Sequence, residues 1–280
     1  MLLPAMIKRT LRYIIKGIPN KVVTTVRISY LQPRNLLAGK KIIVTGGGRG
    51  LGLAMARKFI SEGAEVLISG RKLETLEKTA AEIGCRYLQL DMQNVAEFPD
   101  FIRQAANQLG GINCLVNNAG ISLHEDGFLN VSCEQWDAQF NTNLRGPFFL
   151  TQEFVRFCQQ EEMESTKKIV FISSETSTTV DERPYGLTKC ALNSLIQGLA
   201  YRYVREGYRI NGIAPGITIS DMTGIKTTDN LTCGNDVTGR YYLPEEVAEI
   251  AAFLLSDLSN TLNGQILVTN EGKTINARWR

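Results

Sequence analysis

Histidine and closely spaced cysteines are scarce in this 280-residue chain. It has a single histidine, His124, and its six cysteines are scattered singly, with no C-x-x-C pair. A zinc site needs several nitrogen or sulfur ligands at short spacing, so the sequence argues against a metal centre. Isolated cysteines are typical of reduced, mostly buried thiols, and we expect a cytoplasmic protein.

Long apolar runs and N-terminal acidic residues are also missing. No stretch of 18 apolar residues occurs, which argues against a helix that spans a membrane, and the N-terminus lacks the features of a secretory signal. Residues 1–41 contain nine Lys or Arg and no Asp or Glu, whereas the remainder carries 22 basic and 28 acidic side chains. This mildly acidic remainder argues against a nucleic-acid surface. We therefore predict a basic extension, residues 1–39, and one domain, residues 40–280.

The extension has its own pattern. Apolar residues in 1–20 recur at helical spacing, with basic residues largely on the other face, and 22–31 alternate like a strand. A basic amphipathic helix could bind an anionic membrane surface peripherally, dock on a neighbouring subunit or act as a transit peptide. A simple structural arm explains the pattern equally well.

From residue 40 onward, apolar strand-like segments alternate with helix-like segments. The predicted strands are 40–46, 64–70, 86–91, 113–120, 167–174, 208–216 and 264–270. Nearly continuous apolar strands that alternate with helices predict a parallel sheet covered on both faces. We therefore expect an α/β fold with a single doubly wound, Rossmann-type sheet of about seven strands. The polar stretch 221–240 is a candidate active-site lid.

The first predicted strand runs into a glycine-rich turn, TGGGRGLG (45–52). Glycines permit a tight turn and close approach of the backbone to a ligand, and the N-terminus of the next helix attracts a pyrophosphate. A glycine-rich string alone is a weak signal, but its position between an apolar strand and an amphipathic helix favours dinucleotide binding. The candidate ligands in this turn are Gly46, Arg49, Gly50, Leu51 and Gly52.

Tyr185 and Lys189 stand four residues apart in ERPYGLTKCALNSL (182–195), where a helix begins close to a proline. The spacing places both side chains on one helical face. Such a pair is either an ordinary surface contact or a proton donor beside a cation that lowers its pKa. The pair alone does not decide between these readings.

Five motifs in this order resemble the short-chain dehydrogenase/reductase family, and members similar to ketoacyl-carrier-protein reductases above all. They cover about residues 40–272: TGGGRGLG, Asp91 at the end of the third strand, NNAG (117–120), Tyr185-x-x-x-Lys189 and PG (215–216). The resemblance implies that Asp91 and Met92 flank the adenine of a nicotinamide cofactor. It also implies further cofactor contacts from Asn118, Ala119, Gly120, Tyr185, Lys189, Pro215, Gly216 and Ser220.

The second strand ends in Ser-Gly-Arg-Lys (69–72), without the carboxylate that binds the ribose 2′-hydroxyl of NAD. Arg71 can instead pair with a 2′-phosphate, and Arg49 resembles the basic residue that NADP-using members of the family carry in the glycine turn. The alternative is that Arg71 is merely solvated. Both the missing acid and the added bases favour NADP (NADPH) as the cofactor.

By the same resemblance, the catalytic residues are Tyr185, Lys189, Ser174 and Asn143. Tyr185 would protonate the developing alkoxide, Lys189 would favour its phenolate, and Ser174 would bind the substrate carbonyl. Asn143 would hold a water next to Lys189, or else mark a helix kink. In most relatives the serine precedes the tyrosine by thirteen residues, whereas Ser174 precedes Tyr185 by eleven, so Ser173 and Ser177 stay open as substitutes.

These features predict an NADP-dependent reductase or dehydrogenase of a small carbonyl or alcohol substrate, which a carrier protein could present. Ketoacyl thioesters, keto-sugars and other ketones are all compatible with the sequence. The alternative is a catalytically silent NADP sensor or scaffold. Family analogy implies a homo-oligomer, a tetramer, formed through the helices at 133–160 and 185–206. We expect His124 to be solvated rather than catalytic.

Overall fold

The computed structural model describes residues 35–162, 165–225, 230–233 and 239–275. Seven parallel strands form one sheet in the order β3-β2-β1-β4-β5-β6-β7. This confirms the predicted doubly wound α/β fold. The strands are β1 (Lys41–Thr45), β2 (Glu65–Gly70), β3 (Arg86–Gln89), β4 (Cys114–Asn117), β5 (Lys167–Ile172), β6 (Tyr208–Pro215) and β7 (Ile266–Thr269).

Helices connect successive strands, and most begin or end at a residue suited to that position. Pro lies in the first turn of four of them, where its missing N–H costs nothing, and two helices end at a glycine in the left-handed conformation, Gly84 or Gly110. The helices are α1 (Gly50–Ser61), α2 (Leu73–Ile83), α3 (Phe98–Leu109), α4 (Cys133–Phe140), α5 (Gly146–Gln160), α6 (Pro184–Tyr203) and α7 (Pro244–Leu255).

Two hydrophobic layers cover the sheet because successive strand residues point to opposite faces. Ile42 and Val44 of β1 pack with α1, α2 and α7, while Ile43 between them packs with α3, α5 and α6. Both faces of the central strands are therefore buried, which is why these strands read as continuous apolar runs.

The main differences from the sequence prediction lie at the ends of elements. The strands are one to four residues shorter than their apolar runs, because residues at one or both ends of each run belong to the neighbouring loops. The long helix predicted over 133–160 is interrupted by a π turn, Asn141–Arg145.

Part of the predicted extension packs against the domain. Leu37 is fully buried in the core, and its N–H donates to the carbonyl oxygen of Glu62 at 3.0 Å, so the packed domain reaches back to Leu37. The helix predicted in 1–20, the strand predicted in 22–31 and part of the lid stretch lie outside the described residues. Within the described ranges, no helix is long and apolar enough to cross a membrane.

Candidate active site

The predicted site residues gather beyond the C-terminal ends of the parallel strands. β1 and β4 are neighbours in the sheet. The chain continues from β1 through β2 and β3 in one direction, and from β4 through β5, β6 and β7 in the opposite direction. In an open α/β sheet the crevice beyond such a switch point is the usual ligand site. The loops after β1, β4, β5 and β6 therefore converge on one cleft.

The turn after β1 is built around glycines that tolerate no side chain. Gly46 and Gly50 have positive φ angles of 65° and 54°, which L side chains rarely adopt. A Cβ on Gly52 would lie 2.2 Å from the carbonyl oxygen of Gly46. Asn118, at the end of β4, braces the turn because its Nδ2 donates to the carbonyl oxygens of Thr45 (2.9 Å) and Gly46 (3.2 Å).

The N-terminus of α1 is suited to an anion. Arg49 is the N-cap residue in an extended conformation, its side chain makes no capping hydrogen bond, and the first turn of α1 contains no acidic residue. The first-turn N–H groups and the helix dipole thus present positive charge to the cleft. Leu51 packs its side chain against the core, so only its backbone can contribute to such a site.

The glycine turn and the N-terminus of α1 fit the pyrophosphate of a dinucleotide. Only glycine at position 52 lets α1 begin directly against the carbonyl group of Gly46, and a helix N-terminus without a carboxylate is a ready anion site. The residues that would hold the group are those predicted in the turn.

The adenosine side of the cleft lies after β2 and β3. Arg71 is exposed, and its carbonyl oxygen accepts a hydrogen bond from Nε2 of Gln89 at 2.8 Å. Asp91 is partly buried and its Oδ1 accepts from the N–H of Gln93, which fixes the loop, while Met92 is buried. Arg49, which we expected to face a 2′-phosphate, forms an ion pair with Asp221 at 2.8 Å.

The opposite side of the cleft is formed after β4 and β6. Ala119 donates its N–H to the hydroxyl of Thr45 at 3.1 Å. Pro215 ends β6, and a Cβ on Gly216 would lie 2.4 Å from the ring of Tyr242, so this turn also packs closely. Ser220 and Thr223 hydrogen-bond to each other and order the loop that follows.

Tyr185 lies in the first turn of α6 and is partly buried. The hydroxyl of Ser174 forms a hydrogen bond with its phenol. Ser173 instead donates to Oδ1 of Asn193 at 2.7 Å, and Ser177 donates to the carbonyl oxygen of Ser174 at 2.6 Å. Of the three serines that the sequence left open, Ser174 is therefore the one that contacts Tyr185.

The pKa of Tyr185 differs from the sequence expectation. Burial raises this pKa above its ordinary value near 10, and the hydrogen bond from Ser174 offsets the rise only in part. Lys189 does not produce the expected lowering: its Nζ lies 5.6 Å from the centre of the tyrosine ring and donates to the carbonyl oxygen of Ile172 at 2.8 Å. The phenol is thus a neutral proton donor at physiological pH.

Lys189 is buried and has a perturbed pKa of its own. Burial lowers the pKa of Lys189 to about 8, because the low-polarity surroundings disfavour the ammonium form. A Cβ on Gly120 would lie 3.6 Å from its Nζ and 3.3 Å from Oδ1 of Asn143. Lys189 and Asn143 therefore approach the same glycine after β4, which the NNAG motif supplies.

Asn143 stands inside the π turn and ties that turn to the loop after β4. Its Nδ2 donates to the carbonyl oxygen of Ile121 at 2.8 Å, and its Oδ1 accepts from the N–H of Ile121 at 2.8 Å. A π turn of this kind is frequent at functional sites. The interruption of the helix, which the sequence left as the alternative role of Asn143, is thus present. Asn143 also approaches Gly120, as Lys189 does.

Sequence reasoning missed some residues at this edge of the sheet. Glu175, the residue after Ser174, is buried and accepts hydrogen bonds from Lys273 (2.7 Å) and Asn270 (3.0 Å), which follow β7. No local motif signals this cluster, because its members are almost a hundred residues apart.

His124 contacts the carbonyl oxygen of Met222 at 2.9 Å through Nε2 and is exposed.

Comparison with known proteins gives consistent matches over the domain. A family model described as enoyl-(acyl carrier protein) reductase matches residues 46–274. Gluconate 5-dehydrogenase of Gluconobacter oxydans (strain 621H) is 31% identical over 248 residues, which cover 85% of this chain and 96% of that protein. The 3-oxoacyl-(acyl-carrier-protein) reductase of Aquifex aeolicus (strain VF5) is 31% identical over 246 residues, 84% of this chain and 98% of that protein.

Solved structures show the same architecture. A short-chain dehydrogenase from Burkholderia cenocepacia J2315, crystallised in complex with NADP, superposes with a TM-score of 0.74 at 28% sequence identity. The match covers 84% of this chain and 97% of that one.

Proposed function

Because the chain belongs to the short-chain dehydrogenase/reductase family, we propose that it reduces a carbonyl substrate with NADPH, or oxidises the matching alcohol, with Tyr185 as the general acid or base. The chain is an oxidoreductase of CH–OH and C=O groups that uses a nicotinamide cofactor. The observation that carries the proposal is the placement of a neutral phenol, its serine partner and a buried lysine beside a glycine-lined cleft.

The choice of NADP follows from charge. The second strand ends without a carboxylate, and Arg71 is exposed and available to an anion. An arginine binds a phosphate through charge-assisted hydrogen bonds that a ribose hydroxyl cannot match. The relative from Burkholderia cenocepacia with bound NADP supports the same choice.

Bound NADPH supplies the hydride that reduces the carbonyl carbon. The chain's own residues manage the charge that develops on the carbonyl oxygen. The Ser174 hydroxyl would donate a hydrogen bond to that oxygen, and the phenol of Tyr185 would donate its proton. The raised pKa of Tyr185 keeps this proton in place until the oxygen becomes basic.

Lys189 and Asn143 would support the proton transfer. The Lys189 ammonium places positive charge close to the phenolate that forms, and Nζ would also hold the ribose hydroxyls of the cofactor. Asn143 would position a water that returns a proton to the site. Its paired hydrogen bonds to Ile121 fix its side chain for that purpose.

The substrate proposed is a small ketone, ketoacyl thioester or keto-sugar. The named relatives act on gluconate and on 3-oxoacyl groups of a carrier protein, so both classes belong in a first screen. A silent NADP sensor is the second candidate, but an intact Tyr185, Lys189 and Ser174 arrangement favours an enzyme.

The homo-oligomer stays a prediction, and exposed aromatic side chains on α4 and α5, Trp136 and Phe148, are consistent with it.

The test is NADPH consumption by the purified protein with acetoacetyl thioester, 5-ketogluconate and a diketone as substrates. NADH replaces NADPH in a parallel series, and Tyr185→Phe serves as the control. Turnover with NADPH that disappears in the control supports the proposal and names the substrate class. Tight NADPH binding without turnover on any substrate would favour the silent sensor.

A further inference from the structure

An ion pair crosses the cofactor cleft. Nη1 of Arg49 in the glycine turn lies 2.8 Å from Oδ2 of Asp221 in the loop after β6, although the two residues are 172 positions apart. The backbones are close at the same place, since a Cβ on Gly50 would lie 3.7 Å from Cβ of Ser220. The loop that begins at Ser220 is therefore held against the glycine turn.

The pair is accessible to a competing anion. The side chains of Arg49 and Asp221 are 66% and 67% exposed, and exposed ion pairs are weak, so another anion can replace the carboxylate at little cost. Gly48 of the same turn packs near Thr75, in the helix that follows Arg71. The glycine turn that carries Arg49 thus lies against the first turn of α2, which begins two residues after Arg71, the other base predicted to bind the 2′-phosphate.

We propose that Asp221 limits how strongly the enzyme prefers NADPH over NADH, by competing with the 2′-phosphate for the guanidinium of Arg49. This inference rests on the proposed use of NADP. NADH carries no phosphate at this position, so its binding does not require Arg49 to leave Asp221. Asp221 acts through Arg49 and is a residue that tunes affinity, not a catalytic one.

The size of the effect follows from the exposure of the pair. Removing an exposed ion pair changes an equilibrium by up to about fivefold, because water screens both charges. Asp221→Asn keeps the shape of the side chain and removes its charge. We expect the ratio of the NADH to the NADPH dissociation constant to rise about two- to fivefold, and the rise to shrink at high salt.

The experiment measures dissociation constants of NADPH, NADH, 2′,5′-ADP and 5′-AMP for the intact protein and its variants. Glu82→Gln is the matched control, because Glu82 forms a similarly exposed pair with Arg57 (2.6 Å) and its substitution changes the net charge equally. Arg49→Met and the double variant Arg49→Met/Asp221→Asn complete the set. An effect of Asp221 through Arg49 should vanish in the Arg49→Met background.

The inference holds if Asp221→Asn favours NADPH and 2′,5′-ADP over their partners lacking the phosphate, Glu82→Gln does not, and Arg49→Met abolishes the change. It is overturned if Asp221→Asn tightens NADPH and NADH equally, which indicates general repulsion of the pyrophosphate, or if the effect survives in Arg49→Met.

The proposed function fails separately. If wild type and every variant bind 2′,5′-ADP no better than 5′-AMP, the NADP assignment is wrong and the inference falls with it. If binding follows the expected pattern but no carbonyl substrate is turned over, the inference stands and the reductase proposal falls.

Discussion

Replacing Gly52 by alanine should damage the cofactor cradle and the stability of the fold together. The added Cβ would lie 2.2 Å from the carbonyl oxygen of Gly46, 2.8 Å from its carbonyl carbon and 2.7 Å from Nδ2 of Asn118. Two of these atoms belong to the backbone of the tight turn, so a side-chain rotation cannot relieve the contact. The turn itself must move.

The expected magnitude combines three effects. Overpacking of this kind costs up to about 3 kcal/mol. Displacing Asn118 from the carbonyl oxygens of Thr45 and Gly46 costs about 1 kcal/mol more. Alanine regains about 1 kcal/mol because it favours the helix more than glycine does. The free energy of unfolding should fall by about 1–3 kcal/mol, which lowers Tm by about 2–5 °C in a chain of this size.

Gly198→Ala is the matched control. Gly198 is an exposed residue within α6, and a Cβ there would meet nothing within 4 Å. The same substitution should raise the free energy of unfolding by about 0.5–1 kcal/mol. Thermal and denaturant unfolding of both variants, with NADPH titration, form the assay. We expect only Gly52→Ala to weaken NADPH binding, by at least about tenfold; a Gly52→Ala protein as stable as Gly198→Ala would refute the reasoning.

Two further predictions concern the chemistry. Ser174→Ala should lower kcat by on the order of a hundredfold because it removes a donor to the carbonyl oxygen, whereas Ser173→Ala should have little effect; equal losses in both would contradict the assignment. The pH profile of carbonyl reduction should fall above about pH 8. Burial lowers the pKa of Lys189 to about 8, so its ammonium is lost there, while Tyr185, whose pKa is raised, still holds its proton. A kcat/KM for NADPH that stays level to pH 10 would argue against this role of Lys189.

The order of elements and the sheet were predictable because they depend on local patterns. Apolar runs such as 208–216 identified the seven strands of the described residues, and the glycines of 45–52 identified the turn between β1 and α1. The ends of strands were less predictable, since the residues that stop pairing are chosen by neighbouring strands rather than by their own sequence.

Contacts between distant segments could not be read from the sequence. The pairs Arg49–Asp221 and Glu175–Lys273 join residues far apart in the chain, and no spacing rule connects them. The raised pKa of Tyr185 could not be predicted from the sequence for a related reason. The spacing to Lys189 predicted a lowered value, but burial by several loops outweighs a lysine whose Nζ donates to Ile172.

The π turn at Asn141–Arg145 was predictable only in part. The sequence marked Asn143 as either a kink or part of a proton path, because it matches an asparagine of the family that the chain resembles. Only the fold reveals that its side chain holds Ile121 with a pair of hydrogen bonds and lies close to Gly120, as Nζ of Lys189 does.

The most direct test of the central claim compares Tyr185→Phe with wild type in two assays on the same preparation, NADPH binding and NADPH-dependent carbonyl reduction. Phenylalanine keeps the ring and removes the proton that Tyr185 would donate. The account predicts an unchanged dissociation constant for NADPH and a loss of turnover of at least about a hundredfold. A phenylalanine variant that keeps most of the wild-type turnover would contradict it.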